Sequence, residues 1–133
     1  MANLTVENID NGSVFIEQGQ FEDGLLTFGG AGTVVEGTIL AVDSVSLKYV
    51  PFVKGGTTNE NGIPKAVLTY DVTAAGAGDE TIRAGIEGNV RIDKLIIDAD
   101  GDGSNVDKAV LDQLRDYGIT PRTVTELNIL DNQ

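Results

Sequence analysis

Thr33-Val34-Val35-Glu36-Gly37-Thr38-Ile39-Leu40-Ala41-Val42, continued by Asp43 to Leu47 and then Lys48-Tyr49-Val50-Pro51-Phe52-Val53, decides the fold class. The first ten residues are dense in β-branched side chains, which crowd a helix but fit a pleated surface, so they predict a strand. Gly37 inside the run predicts a bulge or a corner. Asp43 to Leu47 reads as a turn, and Lys48 to Val53 as the returning strand. Pro51 has no N–H to give to a ladder, so that strand belongs at an edge or carries an irregularity.

Toward the C-terminus the same grammar repeats. Lys54 to Pro64, with Gly55-Gly56 and Asn61-Gly62, is turn chemistry. Lys65 to Val72 predicts a third strand, and Thr73 to Asp79 a glycine-rich loop. Apolar pieces follow at Thr81–Ile86 and Val90–Ile92, where Gly85 and Gly88 predict sharp bends. No helix stands behind those glycines, so they are not a phosphate cradle. From Val106, apolar residues at Ala109, Val110, Leu114 and Tyr117 fall on one helical face. Ser104 is the expected N-cap, with Asp107 three residues on to close a capping box, and Gly118 the expected stop. Pro121 to Leu130 predicts a last strand.

Toward the N-terminus, Gly24 to Phe28 is a short apolar run closed by Gly29-Gly30 and Gly32. Before it stand isolated apolar pieces, Leu4, Val6 and Ile9, then Val14, Phe15 and Ile16, with an Asn11-Gly12 turn between them. They predict an N-terminal arm over residues 1–20 that pairs at a sheet edge or orders on a partner; an ordinary first strand is the alternative. The whole reads as one mainly β domain over 21–133, with one C-terminal α-helix and a flexible N-terminal arm.

Composition narrows the chemistry. Four Phe, three Tyr and no Trp in 133 residues leave the core to aliphatic side chains. The chain has no Cys and no His, which removes disulfides, thiol nucleophiles, Cys or His metal sites and the usual base near neutral pH. Its net charge of −12 would be repelled by phosphate backbones and anionic bilayers, so neither nucleic acid nor membrane is expected as a partner. No run approaches the length of a membrane span. Met1 to Gly12 has neither a basic nor an apolar signal region, which predicts synthesis in a cytoplasm.

Five pieces in order carry a family resemblance. Thr38–Asp43 with Lys48–Phe52, Pro64–Val72 ending in Asp71-Val72, the loop Ala74–Asp79, Gly88-Asn89-Val90, and Leu114–Ile119 together resemble the lambda-type head decoration proteins of tailed phages. The resemblance covers roughly residues 30 to 122. It implies a small β-rich "tulip" fold and a structural virion protein with no enzymatic activity. It further implies binding to the major capsid protein on the outer surface of the expanded head, as homotrimers at three-fold sites that hold capsomers together. The family's N-terminal segment reaches the lattice. By position that assigns capsid contact here to Leu4, Val6, Val14, Phe15 and Ile16, although the arm itself matches no motif.

The sharpest local motif lies outside that pattern. Asp98-Ala99-Asp100-Gly101-Asp102-Gly103 alternates acids and then turns on glycine, the first half of a calcium loop with Asp98, Asp100 and Asp102 as ligands. The second half fails, since positions nine and twelve are Val106 and Ala109. An acidic turn favoured by the following helix dipole explains the same residues. Calcium there would make a calcium-dependent adhesion module the competing function. Weaker candidates are Glu87, Asp93 and Asp98 as acid–base carboxylates, Lys48, Lys54 and Lys65 as an anion site, and Tyr49 and Phe52 as core, subunit-contact or sugar-stacking residues.

Overall fold

Residues 13–16 and 19–123 are described by the computed structural model. The strands are β1 (Gln20–Phe28), β2 (Gly32–Val34), β3 (Ile39–Val42), β4 (Tyr49–Pro51), β5 (Ala66–Leu68), β6 (Val72–Ala74), β7 (Gly78–Arg91) and β8 (Ile119–Arg122). The helix α1 (Lys108–Asp116) stands before β8. The larger sheet runs β1-β4-β3-β5-β7-β8, and β1 also pairs β7, so its first five strands close into a ring. β2 and β6 form a separate two-stranded ribbon. The protein is therefore mainly β with one late helix.

Alternation along the strands divides the interior in two. Ile39 and Val67 point into a cluster with Val14, Phe15, Phe52, Val90, Leu95, Ile97, Ile119 and the helix residues Val110 and Leu114. Their neighbours Leu40, Ala66 and Leu68 point the other way, to Leu26, Phe28, Val34, Tyr49, Val72, Ile82 and Ala84. β3 and β5 are covered on both faces, which is why both read as unbroken apolar runs.

Several sequence expectations change in detail. Thr33–Val42 is two strands in different sheets, and Gly37 is the corner between them: its φ is +92°, and a Cβ there would lie 2.0 Å from the Lys94 carbonyl oxygen. Lys65–Val72 is likewise split between β5 and β6. Gly85 and Gly88 do not separate two strands: both lie inside β7, whose register with β1 slips by one residue between them, and Gly88 takes φ +136°. Pro51 pairs with Leu40 at the end of β4, where its missing donor costs no interior ladder bond.

The helix starts later than Ser104. Asp107 is the N-cap, its carboxylate accepting from the Val110 N–H at 3.2 Å, while the Ser104 N–H turns back to Asp102. Val110 and Leu114 are buried and Leu111 partly so, whereas Ala109 and Tyr117 face solvent. Gly118 does end the helix, at φ +93°. Of the stretch Pro121–Leu130, the described part forms the end of β8 and the rest lies outside the described residues.

Candidate interaction surfaces

The N-terminal residues come first. Leu4 and Val6 lie outside the described residues. Val14 and Phe15 are 1% and 7% exposed and belong to the core. Phe15 bridges to Val90, the Ile16 N–H donates to the Asn89 carbonyl at 3.0 Å, and the Arg91 N–H donates to the Val14 carbonyl at 2.9 Å. The Glu36 carboxylate accepts the Val14 N–H at 3.0 Å. Gly85 makes room for this docking, since a Cβ on it would lie 2.1 Å from the tip of the Phe15 ring. Phe21 packs edge-on against the same ring, 5.1 Å between centroids. Residues 13–16 are thus tied to β7 within the domain, and Ile16 is half-buried.

The acidic turn is held by its backbone. The Asp100 and Gly101 N–H groups both donate to the Ile97 carbonyl, and Ile97 and Asp102 bridge across the turn. Gly101 takes φ +74°, the left-handed conformation the reversal requires. The three carboxylates go separate ways. Asp102 accepts from the Ser104 N–H at 3.0 Å, which holds its carboxyl below the usual range. Asp100 accepts from the Asn105 amide at 3.0 Å. Asp98 is exposed, yet partial burial pushes its carboxyl up. Among the described residues no three acidic side chains gather into a metal-holding group.

The other candidates disperse too. Lys48 pairs with Asp79 at 2.7 Å, Lys54 with Asp107 at 2.6 Å, and Lys65 lies 5.2 Å over the Tyr117 ring, so the three lysines do not converge. Asp93 binds Arg91 through both carboxylate oxygens. Phe52 is core. The Tyr49 ring lies against Gly24, and burial first, then Glu22, pushes its hydroxyl up to about 12.

One surface was not foreseen. In the turn after β3, Val45 and Leu47 are 75% and 76% exposed, and Leu47 holds φ +63°. A non-glycine residue in that region costs about 1–2 kcal/mol, so the surrounding bonds must impose it. Asp43 does so: its carboxylate accepts the Val45 and Ser46 N–H groups, which hold it below the usual carboxylate range, and its carbonyl accepts from Leu47. Beside this turn runs a groove of about 340 Å³, lined by Glu22, Asp23, Gly24 and Leu25 on one wall and Val42, Leu47, Lys48 and Tyr49 on the other. Apolar residues at the third and fifth positions of the Asp43–Leu47 turn, where polar ones are usual, were the available signal.

No curated protein matches the chain. The family model of bacteriophage lambda head decoration protein D matches residues 7–119, from before the Val14–Ile16 anchor to the start of β8. The chain therefore belongs to the bacteriophage lambda head decoration protein family, and its role is a structural one in the phage capsid.

Proposed function

We propose that this protein binds the outside of the expanded head, with the major capsid protein as its partner, and cements neighbouring capsomers as homotrimers at three-fold sites. The family match over residues 7–119 carries this reading. The physical requirements of such a role agree with the chain's make-up. A cementing protein needs no catalytic groups. It needs an adhesive patch and a hydrated remainder, and the exposed Leu25, Val45 and Leu47 stand in a surface of net charge −12. Many copies on one lattice gain avidity, so each contact can be modest. In this reading the protein is made in the host cytoplasm and joins the virion after the shell expands.

The anchored position of Val14 and Phe15 narrows the arm's part. The arm's share of capsid contact falls to residues ahead of Ser13, with Leu4 and Val6 as its apolar groups, and to Ile16 at the docked segment's margin.

Co-sedimentation with expanded and unexpanded shells of the same phage, with and without chelator, tests the proposal. Saturable, chelator-indifferent binding to expanded shells is the expected result. Binding to neither shell would remove the decoration reading. Binding abolished by chelator would turn attention to Asp98, Asp100 and Asp102 as a calcium site.

A further inference from the structure

We propose that the groove between β1 and β4 receives an extended segment of the capsid lattice that carries a basic residue. This inference rests on the reading that the chain binds the phage head, and it names one contact surface of that binding.

The ring of strands is unevenly closed. β1 pairs with β7 at every residue from Phe21 to Phe28, but with β4 at one position, Leu26 opposite Tyr49. From Glu22 to Leu25, no described strand pairs with the β1 edge that faces β4. Backbone donors and acceptors along such an edge are a template for one more strand. The groove lies along this stretch, and at about 3.3 Å per residue it accepts a segment of roughly four residues.

Its side chains say what would fit. Leu25, Val42 and Leu47 offer apolar contact, with Leu47 held outward by the Asp43 turn. Such a wall takes apolar side chains two residues apart on an extended chain. The charge on the rim is acidic. Lys48 is spent on Asp79 at 2.7 Å, and Asp23 meets Arg83 only at 3.5 Å with both exposed. Among the described residues no cation pairs with Glu22, which faces the Tyr49 hydroxyl. A lysine or arginine on the incoming segment supplies the missing charge.

A second copy of this chain is a poor occupant. Each copy carries −12, and Lys48, Lys54, Arg83, Arg91, Lys108 and Arg115, six of the nine cations, already sit in internal ion pairs. Charge complementarity therefore favours a basic segment from another protein.

The test uses expanded shells as the probe and compares the wild-type chain with Glu22→Lys, Leu25→Asp and Val53→Asp, the last at an exposed residue outside the groove's lining. Glu22→Lys and Leu25→Asp are expected to weaken shell binding tenfold or more, with Val53→Asp unchanged. The Glu22→Lys deficit should shrink as salt rises. Thermal melts establish that the variants fold. Hydrogen exchange on the wild-type chain adds a readout free of mutation: amides of residues 22–25 should gain protection on the shell. Wild-type binding with unaltered groove variants, or with no added protection at 22–25, overturns this inference and leaves the capsid reading standing. A wild-type chain that binds no shell overturns both.

Discussion

Phe15 and Gly85 are complementary: the ring occupies the space that a side chain on β7 would fill. Removing the ring opens a cavity, so Phe15→Ala is expected to lower stability by about 3–5 kcal/mol. Gly85→Ala forces the ring aside and should cost about 1–3 kcal/mol. Because each change relieves the damage of the other, the double variant should lose less than the sum, a coupling that urea denaturation of the four proteins would measure. Titration also acts residue by residue. The carboxyls of Asp79, Asp107 and Asp112, lowered by hydrogen bonds from Lys48, Lys54 and Lys108, and those of Asp43 and Asp102, lowered by backbone N–H groups, stabilise the fold above the unfolded value near 3.8. That contribution is lost as pH falls through their folded values. Asp98 is raised and opposes the trend, since its folded form favours the proton. Tyr49, at about 12 against an ordinary 10, holds stability below pH 10 that drains away as pH rises toward 12. A plot of melting temperature against pH should fall at both ends, and Tyr49→Phe should flatten the alkaline limb. At this scale the sequence was legible only where one residue sufficed. Gly118 as a helix stop needs no partner, whereas Ser104 and Asp107 are both competent caps, and the choice depended on the turn that draws the Ser104 N–H to Asp102.

At the level of elements, β7 dominates, pairing with β1, β5, β8 and the Val14–Ile16 segment. Its fourteen residues were read as two pieces because two glycines interrupt the apolar pattern. What those glycines accommodate lies some seventy residues away in sequence, at Phe15 and Gly19, so no local rule identifies it. The division of Thr33–Val42 was half legible: Gly37 marked the corner, but not that the chain changes sheets there. Helix α1 was the easiest element to find, its period being local, although Leu111 rather than Ala109 joins its buried face. Its nine residues are too few to stand alone in water, so it persists by docking Val110 and Leu114. Leu114→Ala should therefore cost about 2–5 kcal/mol, and hydrogen exchange should speed up across α1 and β8 together.

For the whole molecule, charge sets the behaviour. An excess of twelve negative charges repels itself, and the six ion pairs among the described residues offset only part of it. Raising salt from about 10 mM to a few hundred millimolar, across the range where screening shortens from tens of ångströms to a few, should raise the melting temperature. Salt that instead lowered it would show that the ion pairs outweigh the repulsion. Family membership was legible at this scale because it depends on the order of five segments along the chain, which sequence preserves directly. The groove was not, since Leu25 and Leu47 line it only once β1 and β4 come together across the ring.

The two flanks of β7 carry a consequence for chain connectivity. Val90 pairs with Phe15 on one edge and with Pro121 on the other, and β8 runs parallel to β7 while the Phe15 segment runs against it. Ser13 and Thr123 therefore leave at the same end of β7, two strand spacings or about 10 Å apart. The topology is close to circular. A permuted chain that joins residue 123 to residue 13 through a six-residue glycine–serine linker, and begins anew between Gly55 and Gly56, severs no strand. It should fold to the same circular-dichroism spectrum, with the order of synthesis of its strands exchanged and their pairing intact.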